Sequence, residues 1–357
     1  MDEKQKLDFL LGAVSPGGFT GYFDQVLAVK SGWRTLLIKA GPGCGKSTMM
    51  HRISDALVAA GETVEFIHCS SDPDSLDGVI CMNRKFCIVD ATAPHTLEPR
   101  YPEASEEIIS LYDCLDRGKL HDAQSDVVDL FTKCSTLQER AGRYITAAGS
   151  LLTDSMRIAG STANLPAAKA FAGHLALKYF PKNGNGGDEQ LRLLSANTAD
   201  GVLFYADTVK KLADNIIVLQ DEFGAVSKTI LRTLHDAALA RGHNVITCYC
   251  PFAPWDKIEH LILPDLSLAF VTGNYFLSQP FEGARTIHCR RFCNKETLAG
   301  YRSRLRWNRR AAEELLGQAS ALQKEAKASH DLLEKHYTSA ADFAEIDRIT
   351  ERIIASL

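Results

Sequence analysis

AGPGCGKST, residues 40–48, lies between the apolar run Thr35 to Lys39 and the stretch Ser47 to Ala60. The run reads as a buried strand. The stretch carries Met49, Met50, Ile53, Leu57 and Val58 at helical spacing, so the nonapeptide joins a strand to a helix. Gly41, Gly43 and Gly45 let the chain turn tightly and bring its N–H groups close to a phosphate, and the helix behind them aims unpaired amides and the positive end of its dipole at the same point. Gly41, Pro42, Gly43, Cys44, Gly45, Lys46, Ser47 and Thr48 together read as a phosphate cradle, in which position 44 contributes mainly its backbone. Lys46 is suited to neutralise the β and γ phosphates of a nucleoside triphosphate, and the Ser47 hydroxyl to ligate Mg²⁺.

A Mg²⁺ site also needs a carboxylate at the end of a nearby buried strand. Phe86 to Asp90 is an apolar run ending in an acid, which makes Asp90 the expected metal ligand. The next residue is Ala91, so no second acid follows to polarise an attacking water. The acidic loop SSDPDSLD, residues 70–77, follows the strand-like Val64 to His68 and offers Asp72, Asp74 and Asp77, either for that task or as an Asp-Pro turn. His95 is a further candidate at the same sheet edge.

The sequence is written twice. Residues 35–73 align without a gap on 216–254, an offset of 181, with nine identities that include Gly43/Gly224, Asp55/Asp236, Gly61/Gly242 and Cys69/Cys250. The preceding stretch 10–26 maps onto 193–209. Two homologous halves follow, about 8–190 and 191–357, with helical parts at about 118–180 and 295–355. The expected fold class is α/β: two tandem P-loop NTPase-like parallel-sheet domains, each with an appended helical segment. EIISLY and RTIHC supply a further strand in each half.

The second loop has lost its chemistry. In DEFGAVSKT, residues 221–229, Ser227 stands at the lysine position, Val226 at the last glycine, and Asp221 and Glu222 replace Ala40 and Gly41. Two carboxylates repel a triphosphate, and Lys228 comes one position late. With one inserted residue, Thr272 stands opposite Asp90. One competent site and one structural copy are therefore expected.

Bulk properties add boundaries. The chain has 357 residues, a net charge of −4, and no apolar run of the roughly 20 residues a membrane span needs. Its opening residues have too short an apolar stretch for a secretory signal, so the expectation is a cytoplasmic protein with no membrane partner. Ten cysteines without a paired framework read as reduced thiols. One stretch departs from the balance: residues 285–310 hold nine Lys or Arg against Glu296 alone. Beyond it, Leu298, Tyr301, Leu305, Ala312, Leu315, Ala319 and Leu322 follow a heptad seam, with Arg302, Arg306, Arg309 and Arg310 beside it. This stretch is a solvated helix face, a surface for nucleic acid or an acidic partner, or the source of an arginine for the first half's nucleotide, with Arg285, Arg290 and Arg291 as candidates.

GPGCGKST, HCSSDPDSLDGV, VDATAPH and, in the second half, CPFAPWDKIEHLILPDLSLAF resemble a largely uncharacterised family of bacterial tandem P-loop ATPases across nearly the whole chain. The resemblance implies ATP binding and hydrolysis. In such relatives the second loop often looks intact, and here it departs. Three functions stay open: a Mg²⁺-dependent ATPase, a P-loop small-molecule kinase using the acidic loop to hold an acceptor, and a nucleotide-gated binding module with little turnover.

Overall fold

The computed structural model describes residues 5–27, 32–184, 186–277 and 281–357. Its first half runs β1 (Lys6–Phe9), β2 (Gly12–Ser15), β3 (Gly18–Gly21), β4 (Arg34–Lys39), α1 (Lys46–Ala59), β5 (Val64–His68), β6 (Leu76–Cys81), β7 (Phe86–Asp90), β8 (Glu106–Ser110), α2 (Arg117–Asp122), α3 (Gln124–Thr162) and α4 (Leu165–Tyr179). The second half repeats the list, with a helix α5 where the first half has only the 3-10 turn Phe23–Leu27, as β9 (Glu189–Arg192), β10 (Ser195–Thr198), β11 (Gly201–Phe204), α5 (Ala206–Leu212), β12 (Asn215–Gln220), α6 (Ala225–Ala240), β13 (Val245–Tyr249), β14 (Ile258–Leu263), β15 (Leu268–Gly273), β16 (Arg285–His288), α7 (Lys295–Gly300), α8 (Arg302–Ala340) and α9 (Phe343–Ala355). Among these helices none is long and apolar enough to cross a membrane.

Two six-stranded sheets result, in the orders β1-β5-β6-β7-β4-β8 and β9-β13-β14-β15-β12-β16, the same order element for element. The sheets are mixed, which corrects the expectation of parallel sheets. β4 pairs in parallel with β7 and β8, but β6 runs antiparallel between β5 and β7, as β14 does between β13 and β15. The cause is connection length: Met82 to Lys85 and Pro264 to Ser267 are tight turns, with Lys85 and Ser267 at positive φ, and a short turn joins only antiparallel neighbours. Residues 76 and 77, read as the end of a loop, begin β6, all of whose residues are buried.

An internal two-fold relates the halves. Leu10 and Leu193, equivalent residues, exchange their backbone hydrogen bonds at 2.9 and 2.8 Å. The bridges Leu115 to Ala341 and Ala163 to Cys293 are likewise images of each other, shifted by 178 residues. Contacts that swap equivalent residues in this way are the mark of an isologous interface, found here inside one chain. The caps repeat at the same shift: the side chains of Asp116 and Asn294 accept first-turn amides of α2 and α7, and those of Asn164 and Asp342 do so for α4 and α9.

α3 and α8 are each 39 residues, about 58 Å long, and lie antiparallel. Their seam is built from small and aliphatic residues, among them Leu137, Ala141, Ile145, Ala148, Ala312, Leu316, Ala319 and Ala326; of the heptad stripe anticipated over 298–322 it buries Ala312, Ala319 and Leu322, while Tyr301 is exposed and Leu298 lies on α7. Small side chains let the two backbones approach closely, and Arg304 with Asn308 ties α8 to Asp154 on α3. Because the long helices cross, the short ones that follow them reach the opposite half. α9 lays Ile346 and Ile353 into the core formed by α1 and the first sheet, while α4 packs Ala168, Ala172, Leu175 and Ala176 with α6 and the second. Each buried isoleucine or leucine of that kind contributes roughly 1.5–3 kcal/mol.

Candidate functional site

The loop 40–45 leaves β4 and enters α1 through Gly43 and Gly45, both in the left-handed region at φ 67° and 77°. Gly45 caps the helix without any side-chain hydrogen bond, leaving the first-turn amides without a capping side chain. Lys46 bends back over the loop. Its Nζ donates to the Gly41 carbonyl at 2.8 Å and lies 3.5 Å from Asp90 Oδ2 at the end of β7. The other Asp90 oxygen accepts from the amide and hydroxyl of Thr92, which fixes the carboxylate's orientation. Ser47 Oγ accepts the Leu76 amide at 3.0 Å, tying the loop helix to the start of β6. Cys44 is buried, and burial raises its thiol pKa; Thr48 is exposed.

β6 brings Asp77 to this place, 9% exposed. Burial, with Asp90 close by, pushes its carboxyl up to about 6 against the opposing pull of His95 and Lys46. His95 stacks on Phe23 at 4.6 Å, sets Nε2 3.9 Å from Asp77 Oδ1, and keeps a buried Nδ1 with no partner. Asp77, Asp90 and His95 can each offer a ligand atom within 4.8 Å of the others. The acidic loop thus delivers Asp77 and not its neighbours. Asp72 accepts from Ser75 Oγ and lies 3.2 Å from Lys327 of α8, and Asp74 is exposed.

Helix α8 covers the loop, a feature sequence reading missed. A Cβ at Gly41 would stand 2.4 Å from the Tyr337 ring, one at Gly43 would stand 2.8 Å from the Glu334 carbonyl oxygen, and Thr338 Oγ donates to the Gly43 carbonyl at 3.2 Å. These glycines therefore serve close helix packing as well as backbone approach. Only the two-fold could have pointed to Tyr337, since its own stretch carries no motif.

In the second half the corresponding place is already filled. Asp221, at the position of Ala40, is buried, and its carboxylate accepts the amides of Val226 at 2.9 Å and Ser227 at 2.7 Å, with Phe223 at 3.3 Å. The helix end that would receive an anion holds one from its own chain. Lys228 points away to Asp256 at 2.6 Å, and Thr272 sits buried where the first half has Asp90. Glu259, the counterpart of Asp77, is wholly buried and paired with Lys257 at 2.7 Å.

Arg285, Arg290 and Arg291, the candidates for reaching the first half's nucleotide, all stand around the second sheet. Arg285 donates to the Tyr179 hydroxyl, Arg291 lies over Phe171 and Phe292, and Arg290 lines a cavity beside α8. The residues of α8 that cross onto the loop 40–45 come instead from its far end, Glu334, Tyr337 and Thr338, with Lys327 reaching Asp72 of the acidic loop.

No family model matches the chain, and neither a curated protein nor a solved structure matches it.

Proposed function

We propose that this chain is a Mg²⁺-dependent ATP-binding protein that hydrolyses ATP at one site, in its first half. The observation that carries the reading is the convergence of Lys46 and Asp90, 3.5 Å apart, on a helix end with no side-chain cap. Its counterpart in the second half offers Ser227, Thr272 and an internal carboxylate.

Ser47 and Asp90 would hold Mg²⁺ through their oxygens, with Asp77 and His95 beside them. The ion's chemistry, when bound, is to neutralise charge on phosphate oxygens. Lys46 has the reach to leave the Gly41 carbonyl for a phosphate oxygen, and the α1 amides supply neutral donors beside it. Asp77 is the carboxylate placed to take a proton from water. Burial raises its carboxyl above the ordinary aspartate value, which makes it a stronger base than an exposed aspartate.

The Thr338 bond to Gly43 favours one addition to this reading, that a change at the loop is transmitted to the long helix pair. Phosphate release from Mg²⁺·ATP tests the proposal. Lys46→Ala should abolish release and Ser227→Ala should leave it intact; equal loss in both, or no turnover and no ATP binding by the unaltered chain, overturns it.

A further inference from the structure

The internal two-fold allows each feature of one half to be compared with its image in the other, and one place differs in kind. In the first half Tyr337 lies against Gly41, and its ring meets Phe131 edge to face at 6.4 Å. Their images in the second half, 178 residues away, are Ala159 and Arg309. An aromatic plug is replaced by a methyl group and a guanidinium. A cavity of about 500 Å³ opens there, between the loop 221–226, α3, α7 and the start of α8, and it is within the size range of small-molecule sites.

Its lining is cationic. Arg302, Arg306 and Arg309 follow one another at i, i+4 and i+7 on a single face of α8, and Arg290 joins them from beyond β16. The images of these residues are Gln124, Val128, Phe131 and Tyr112, none of them charged. Two acids also line the space. Asp221 already has its charge met by the amides of Val226 and Ser227, and Glu222 is 3.6 Å from Arg309. The guanidiniums of Arg290, Arg302 and Arg306 have no carboxylate at ion-pair distance among the described residues. Arg309 is further held over the Tyr275 ring at 4.8 Å, and its Nε, without a hydrogen-bond partner, lies 3.9 Å from Glu313. Three of the four guanidiniums, those of Arg290, Arg302 and Arg306, thus share one concave place without a carboxylate at ion-pair distance, an arrangement that costs free energy unless an anion relieves it.

We infer that the second half binds a small polyanion of mononucleotide size in this cavity, its oxygens gripped by the forks of Arg290, Arg302 and Arg306. Planar guanidiniums match phosphate and carboxylate groups alike. The ligand is held by side chains and not by the loop amides, which Asp221 has taken. The inference concerns a different site from that of the ATPase reading and stands without it.

Titration calorimetry on the full chain, with pyrophosphate and citrate as separate probes, tests it. At least one probe should bind the unaltered protein. Affinity should fall tenfold or more in the Arg302→Ala/Arg306→Ala double variant, whose altered residues are exposed and leave the core untouched. Ala159→Tyr, which rebuilds the plug of the other half, should weaken it comparably. Lys46→Ala should leave it within twofold. Preference between the two probes then identifies a phosphorylated or a polycarboxylate ligand. The inference is overturned if neither probe binds, if the arginine variant binds as well as the unaltered chain, if Lys46→Ala removes the binding, or if a single-stranded oligonucleotide binds this face while both small anions fail.

Discussion

The carboxylate of Asp221 lies 2.7 Å from the amide of Ser227 and 2.9 Å from that of Val226, so the second loop carries its own anion. Charge-assisted bonds to helix-end amides are among the stronger hydrogen bonds, and losing them leaves buried donors unmet. Asp221→Ala should cost about 1–3 kcal/mol of stability. Added phosphate should restore part of that loss, stabilising the variant more than it stabilises the unaltered protein. Urea unfolding with and without phosphate checks this, and an unchanged midpoint in the variant refutes it.

Gly41 and Gly43 should respond differently to alanine. At Gly41 the new methyl meets the Tyr337 ring, which a smaller side chain would remove, so Gly41→Ala should cost about 1–3 kcal/mol. Much of that should return in the double variant with Tyr337→Ala. At Gly43 the methyl meets the Glu334 carbonyl of the α8 backbone, and φ is positive, so no side-chain change should rescue Gly43→Ala. A pair of double-mutant cycles separates the two outcomes.

His260 gives the fold a defined acid sensitivity. Burial first, aided by Lys257 and opposed by Glu259, lowers its pKa from 6.5 to about 4. The unfolded chain binds this proton below pH 6.5 and the native chain does not until about pH 4. Stability from this group is therefore complete above pH 6.5 and is lost as pH falls toward 4, by up to roughly 3 kcal/mol. His260→Phe keeps the stack on Phe204 and removes two buried, unpartnered ring nitrogens. Its unfolding free energy should vary less over that window, which denaturation at a series of pH values will show.

Arg192 of β9 and Glu65 of β5 form a buried ion pair at 2.7 Å that joins the two halves. Their images are Phe9 and Ile246, so the pair has no symmetric counterpart. Glu65→Ala leaves a guanidinium buried without its partner and should cost about 3–5 kcal/mol. Replacing both, as Arg192→Met with Glu65→Leu, should recover most of it. Equal losses in the single and double variants would mean that shape, and not charge, is what matters here.

Much of this architecture is legible in the sequence because it rests on local rules. The apolar runs ending at Lys39 and Asp90 and the helical spacing after Gly45 define β4, β7 and α1 to within a residue or so, and the offset of 181 carries the same elements into the second half. What periodicity reports is that a residue is buried, not what covers it. The crossing of α3 and α8 depends on the long antiparallel seam, and so Tyr337 over Gly41 could not be read from either stretch alone. Asp77 was indistinguishable from Asp72 and Asp74 until β6 was seen to begin at Leu76. For Asp221 the sequence supplied the right sign of charge but no direction. A carboxylate expected to repel phosphate turns out to accept the loop's own amides.

The exchange between Leu10 and Leu193 has a consequence for how such a molecule can vary. In a dimer of identical subunits every substitution occurs twice, so a site could be given up only by giving up both. Joined end to end, the copies are free to diverge: one carries lysine and aspartate at its loop, while the other keeps the scaffold, fills its loop with a carboxylate of its own and lends its longest helix as a roof for its twin.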